Sequence, residues 1–226
     1  MKVVFSIGGS ILAPDRIDTG YVDELSNFLN ELSLKNQVAV VVGGGKPARR
    51  AISEARARDA SWAECDHIGV LATRENAKAL AASLSSRANH GIPETIHEAV
   101  RMFGGKILVM GGTEPGHSTD AVAALIAEWV KADLFINASN VDAVYDKNPK
   151  EFSDAKPYEQ ISIGELLRIV DKGSNEAGKY PLLDHTSAKI IERSQLRTVI
   201  LDGRNIPNMK AAIEGRPFKG TTVTFR

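Results

Sequence analysis

The residues from Gly111 to Asp120 combine groups that phosphate chemistry uses. The run Gly111-Gly112-Thr113-Glu114-Pro115-Gly116-His117-Ser118-Thr119-Asp120 offers three hydroxyls, a histidine, an aspartate and three glycines whose N–H groups can approach a ligand closely. Hydroxyls and backbone N–H groups suit phosphate or ribose oxygens. A plain helix start, capped by Ser118 or Thr119 with Asp120 in its first turn, accounts for those residues alone. It leaves Gly111, Gly112 and Gly116 without a reason. For His117, packing and ligand contact fit about equally.

Two more glycine turns close apolar runs: Gly8-Gly9-Ser10 after Val3–Ile7, and Gly43-Gly44-Gly45 after Val38–Val42. Lys46, Arg49 and Arg50 follow the second turn, at the start of a helix, where cations oppose the helix dipole and a bound anion removes the penalty. Lys46 and Arg49 read as phosphate contacts, Arg50 as part of a solvated basic face. Gly43-Gly44-Gly45-Lys46-Pro47-Ala48 formally fits G-x-G-x-x-A, with Glu64 and Asp66 about twenty residues on. A dinucleotide reading would leave the other two turns unexplained, and a tight strand-to-helix turn explains the pattern as well. The sequence contains no G-x-x-x-x-G-K-[ST], no G-x-S-x-G and no zinc-ligand spacing among its histidines and single cysteine.

These turns need a scaffold that brings them to one edge. Strands are expected at 2–7, 37–42, 106–110, 133–138, 199–201 and 221–225. Helices are expected at 18–35, 46–60, about 73–87, 94–101, 119–131, 162–171, 186–195 and 207–214, with Asp18 or Thr19 capping the first. Strands alternating with helices imply βαβ units and a mostly parallel sheet covered on both faces, a three-layer α/β/α sandwich. Ligands on such sheets bind at the carboxyl ends of the strands, where all three turns fall. The polar segment 140–157 is the weakest point of the chain, but no linker divides it, and a single domain over 1–226 is expected.

Composition narrows the function. In 226 residues, 28 basic and 28 acidic side chains balance, which argues against nucleic acid or a membrane surface as the main partner. Cys65 is the only cysteine, so an intrachain disulfide is impossible and a reduced, cytoplasmic setting is expected. The start lacks the apolar region of a signal peptide, and no apolar run reaches the length of a membrane span.

The motifs together resemble the amino acid kinase superfamily and, within it, the archaeal-type UMP kinases, over essentially the whole chain. Ile7-Gly8-Gly9-Ser10 and Val41–Lys46 with Ala48-Arg49 are similar to two phosphate loops of the family. Asp66-x-Ile68-Gly69 and Thr73-Arg74-x-Asn76-Ala77 are similar to its acceptor region. The run Met110–Ala124 is specific for this branch. Asn140-Val141-Asp142-x-Val144-Tyr145 with Pro149 resembles the ATP-base loop, and Ala188-Lys189-Ile190-Ile191 with Ser194 resembles a C-terminal helix. The resemblance implies transfer of the γ-phosphoryl group of Mg²⁺-ATP to UMP, giving UDP and ADP in pyrimidine nucleotide synthesis, by a cytoplasmic homohexamer. It implies an acceptor-binding N-terminal part and an ATP-binding C-terminal part. ATP contacts fall on Gly9, Ser10, Gly45, Arg49, Ser139, Asn140, Tyr145 and Asn148. UMP contacts fall on Gly44, Asp66, Thr113, Glu114, Pro115, Gly116, His117, Ser118 and Thr119. Ser6 stands where the superfamily often has lysine and this branch aspartate; Asn148 replaces an aspartate, Ala143 a glycine, Ser139 a threonine.

The acceptor oxygen of UMP is already ionised, so no strong general base is expected; charge neutralisation is. Lys46 and Lys189 are the candidate cations, with Asp120 positioning one of them or organising the loops. No resident metal site is expected. Two other readings are a kinase for another small phosphate or carboxylate, such as isopentenyl phosphate or an amino acid, and a nucleotide- or oxyanion-binding protein without turnover.

Overall fold

The structure, a computed structural model, describes residues 1–149, 151–174 and 183–225. Lys150, inside the polar segment 140–157, lies outside the described residues. Strand β1 (Lys2–Ile7) leads into the four-residue helix α1 (Gly9–Leu12), and α2 (Thr19–Leu32) begins at Asp18, whose side chain accepts the Tyr21 N–H. Then come β2 (Gln37–Val42), α3 (Gly45–Arg56), α4 (Trp62–Leu84), α5 (Ile96–Met102), β3 (Leu108–Met110), α6 (Thr119–Val130) and β4 (Leu134–Ser139). Strands β5 (Val144–Tyr145) and β6 (Pro157–Tyr158) pair as a small antiparallel ribbon. The chain continues through β7 (Gln160–Ser162), α7 (Ile163–Ser174), α8 (His185–Ser194), β8 (Thr198–Asp202), α9 (Ile206–Ile213) and β9 (Thr221–Thr224).

Seven strands form one sheet in the order β3-β2-β1-β4-β8-β9-β7. All neighbours are parallel except β8 and β9. The expected three-layer sandwich is therefore present. Alternate residues of β1 divide between two cores: Val3, Phe5 and Ile7 pack with Leu25, Leu29 and Leu80, while Val4 packs with Ala123, Ile126 and Ile191 on the other face. From β1 the chain first moves outward to β2 and β3, then returns to place β4 on the other side of β1. This reversal opens a crevice at the carboxyl ends of β1 and β4.

Three local differences have physical causes. Helix α4 starts at Trp62, eleven residues before the expected Thr73, because Ser61 and Glu64 form a reciprocal capping box. Exposed Trp62 and Leu71 blur the apolar periodicity of its first turns. Helix α3 stops at Arg56, short of 60, and Ala57 to Asp59 form a turn. Strand β7 was not anticipated: its three residues offer too little pattern, and it forms only against β9.

Candidate active site

The first two glycine turns are in backbone contact. A Cβ added to Gly9 would lie 2.1 Å from the Gly45 nitrogen and 2.6 Å from the Gly43 carbonyl carbon. Gly45 itself has φ +69°, and a Cβ there would meet the Ala13 and Gly9 oxygens at 2.4 Å. No larger residue fits either place without moving the backbone. On its other side the first turn meets β4: the Gly8 N–H donates to the Ala138 carbonyl at 2.8 Å. A further glycine, Gly203 after β8, donates its N–H to the Ser139 carbonyl at 2.9 Å.

Helix α4 anchors the remaining loops. The Thr73 hydroxyl oxygen accepts the Gly112 N–H at 2.6 Å while its hydrogen goes to the Val70 carbonyl. Arg74 donates to the Gly112 and Thr113 carbonyls and pairs with Glu94 at 2.7 Å. Buried Asn76 donates to the carbonyls of Gly43 and Gly44. Earlier on the same helix, the Asp66 carboxylate accepts the Gly116 N–H at 3.0 Å, where Gly116 turns at φ +83°.

Between these elements lies a cavity of about 460 Å³. Its wall brings together seven of the nine residues expected to meet the acceptor: Gly44, Asp66 and Glu114, Gly116, His117, Ser118 and Thr119. Thr113 is buried behind the wall, held by Arg74, and Pro115 is exposed but does not line it. Gly45 and Arg49, expected on the donor side, line the same cavity. Ile52 and Val70 supply apolar surface that sequence alone did not single out, since each looks like an ordinary inward helix position.

Of the other expected donor residues, Gly9, Ser10 and Ser139 lie at the carboxyl ends of β1 and β4, whereas Tyr145 belongs to the separate β5–β6 ribbon and Asn148 follows it. Gly9 and Ser10 open α1; Ser139 ends β4 and its hydroxyl accepts the Val141 N–H. Asn140 is exposed. The Tyr145 hydroxyl donates to Asp142 at 3.0 Å, and Asp142 also pairs with Lys219 at 2.7 Å. Asn148 donates to Glu151 at 2.8 Å. The two candidate cations hold carboxylates instead of facing each other: Lys46 pairs with Asp15 at 2.5 Å and Lys189 with Glu192 at 3.0 Å. Both are exposed.

Asp120 sits in the first turn of α6, against β1 and β4. One of its oxygens accepts both the Ser6 hydroxyl, at 2.5 Å, and the Asn137 amide, at 2.8 Å. Ser6 and Asn137 are buried register partners on β1 and β4, so the sheet presents both donors to the start of α6. Burial pushes the Asp120 carboxyl from its usual 3.8 up to about 6, the Asp184 charge adds to the rise, and the two donors oppose it. Asn137 escaped notice because an amide inside an apolar strand carries no motif.

The amino acid kinase family profile matches residues 1–202. The chain belongs to the amino acid kinase family. It is 44% identical to the uridylate kinase of Methanobrevibacter smithii and 43% to that of Methanothermobacter thermautotrophicus, each over 99% of both chains. Among solved structures, the uridylate kinase of Archaeoglobus fulgidus superposes with a TM-score of 0.88 at 41% identity, over 99% of this chain and 100% of that one. The UMP kinase of Ureaplasma parvum shares the fold, with a TM-score of 0.78 at 22% identity over 99% and 98% of the two chains.

Proposed function

We propose that the protein is a UMP kinase that transfers the γ-phosphoryl group of Mg²⁺-ATP to UMP, releasing UDP and ADP. The observation that carries this reading is the acceptor cavity: Asp66, Gly44, Glu114 and Gly116 to Thr119 line one chamber together with Gly45 and Arg49 of the neighbouring phosphate turn. A volume of about 460 Å³ lies within the range of small-ligand sites. Full-length relatives that are uridylate kinases support the same substrate pair.

The chemistry then divides by position. Asp66 keeps one carboxylate oxygen beyond its bond to Gly116, and that oxygen accepts a ribose hydroxyl. The Gly44 and Gly45 N–H groups, with Arg49, bind the acceptor phosphate. Gly9 and Ser10 bind donor phosphates; Ser139, Asn140, Tyr145 and Asn148 form the nucleoside end of the donor site. The phosphate oxygen of UMP attacks in line without a general base. Lys46 and Lys189 leave their carboxylate partners to neutralise the moving phosphoryl group, and Asp120 holds this arrangement in register. The whole chain acts as one domain, acceptor side first and ATP side second, within a cytoplasmic homohexamer.

Asp66→Asn tests the assignment of sides. It keeps an acceptor for Gly116 but loses the charge. Hydrogen bonds to charged groups contribute about 1.5–3 kcal/mol, so KM for UMP rises roughly 10- to 100-fold. KM for ATP stays within about twofold. A rise confined to ATP would put Asp66 on the wrong substrate.

A further inference from the structure

Asp184 belongs to no motif of the chain, yet separate contacts converge on it. It caps α8: one side-chain oxygen accepts the Ser187 N–H at 3.1 Å, and its carbonyl accepts the Ser187 hydroxyl at 2.8 Å. Its other carboxylate oxygen accepts the hydroxyl hydrogen of Ser118. Ser118 is in turn the N-cap of α6, accepting the Ala121 N–H at 3.0 Å, and it lines the acceptor cavity. One carboxylate therefore ties together the first turns of two helices that pack against each other.

Those helices carry different parts of the site. Helix α6 follows the 113–119 loop and bears Asp120, while α8 bears Lys189. Capping alone accounts for the Ser187 contacts and leaves the Ser118 contact unexplained. An asparagine or serine would cap α8 about as well. Aspartate carries a cost, because its charge works against ionisation of Asp120. What the carboxylate adds is a charge-assisted bond to Ser118, stronger than a neutral one.

We propose that Asp184 is a positioning residue for phosphoryl transfer: through Ser118 it fixes the acceptor loop against the start of α8, so that acceptor phosphate and Lys189 meet at a set separation. The inference rests on the kinase reading above.

The test is a double-mutant cycle of the full chain with Asp184→Asn, Ser118→Ala and the pair, read as kcat of UMP-dependent ADP release and as urea midpoint. Asp184→Asn keeps the cap, so its midpoint stays near that of the unmodified protein while kcat falls about tenfold. Ser118→Ala lowers kcat by a similar factor, and the double variant is no slower than Asp184→Asn within about twofold. Unchanged kcat in Asp184→Asn, or losses that multiply in the double variant, overturns the proposal. Should Asp184→Asn fail to fold, Ser118→Ala decides alone, since an unchanged kcat there removes the joint. If the unmodified protein releases no ADP with UMP, the kinase reading fails separately. UMP affinity by titration calorimetry then tests the joint: a loss in Asp184→Asn that Ser118→Ala does not deepen supports it, and an unchanged affinity or losses that multiply overturn it.

Discussion

Replacing Asp120 with asparagine should make the protein more stable and much less active. The carboxyl is half-buried at the foot of α6 and titrates near 6 in the fold instead of 3.8. Between those values the folded state binds more protons than the unfolded one, so stability falls as pH rises through that window. Above about pH 6 the full penalty remains. The gap, at about 1.4 kcal/mol per pH unit, amounts to about 3 kcal/mol at neutral pH. Asparagine keeps an oxygen for Ser6 and Asn137 but has no charge to bury. Urea unfolding followed by circular dichroism from pH 4 to 8 should show Asp120→Asn more stable by up to about 3 kcal/mol at pH 7.5, the two curves converging near pH 4. In the same samples, UMP-dependent ADP release should drop by roughly 10²–10³-fold, the usual loss when one preorganised electrostatic group is removed. An Asp120→Asn protein that is less stable at pH 7.5, or as active as the original, refutes this reasoning and leaves Asp120 as a first-turn helix residue only.

Ser6→Ala removes one of the two donors that favour the ionised carboxylate, so the acid limb of kcat should move above about pH 6; a limb that stays or moves lower contradicts the contact. Gly9→Ala forces a Cβ to within 2.1 Å of Gly45, and overpacking of this kind costs about 1–3 kcal/mol. Urea midpoint and kcat should both fall, whereas Gly105→Ala, with nothing within 4 Å of its added Cβ, leaves both nearly unchanged. Lys189→Ala should lower kcat by about 10²–10³-fold with little change in midpoint, since its exposed bridge to Glu192 contributes little stability. A near-normal kcat assigns the transition-state charge to Lys46 or Arg49 instead.

The site was legible where chemistry and backbone geometry coincide in sequence. Glycines after apolar runs mark close approach and sheet edge at once, and Gly9 proves to lie against both Gly43 and Gly45. The alternation of strands and helices marked the layers because buried parallel strands such as Val38–Val42 are continuous apolar runs. Residues whose role depends on a distant partner were not legible. Asn137 matters because register sets it beside Ser6, and Asp184 because α8 packs on α6, 66 residues from Ser118. The early part of α4 did carry a sign, Ser61 with Glu64 three residues on, but exposed Trp62 and Leu71 hid the periodicity behind it. The antiparallel turn of β9 against β8 carries no local mark, since the direction of a short strand follows from its connection.

The central claim is the acceptor. Purified protein with Mg²⁺-ATP is offered UMP, CMP or isopentenyl phosphate, and ADP release is followed by a coupled assay. A UMP kinase releases ADP only when UMP is present and leaves isopentenyl phosphate inert. Turnover of isopentenyl phosphate but not UMP, or tight binding of both ATP and UMP with no ADP released, would contradict the proposed activity.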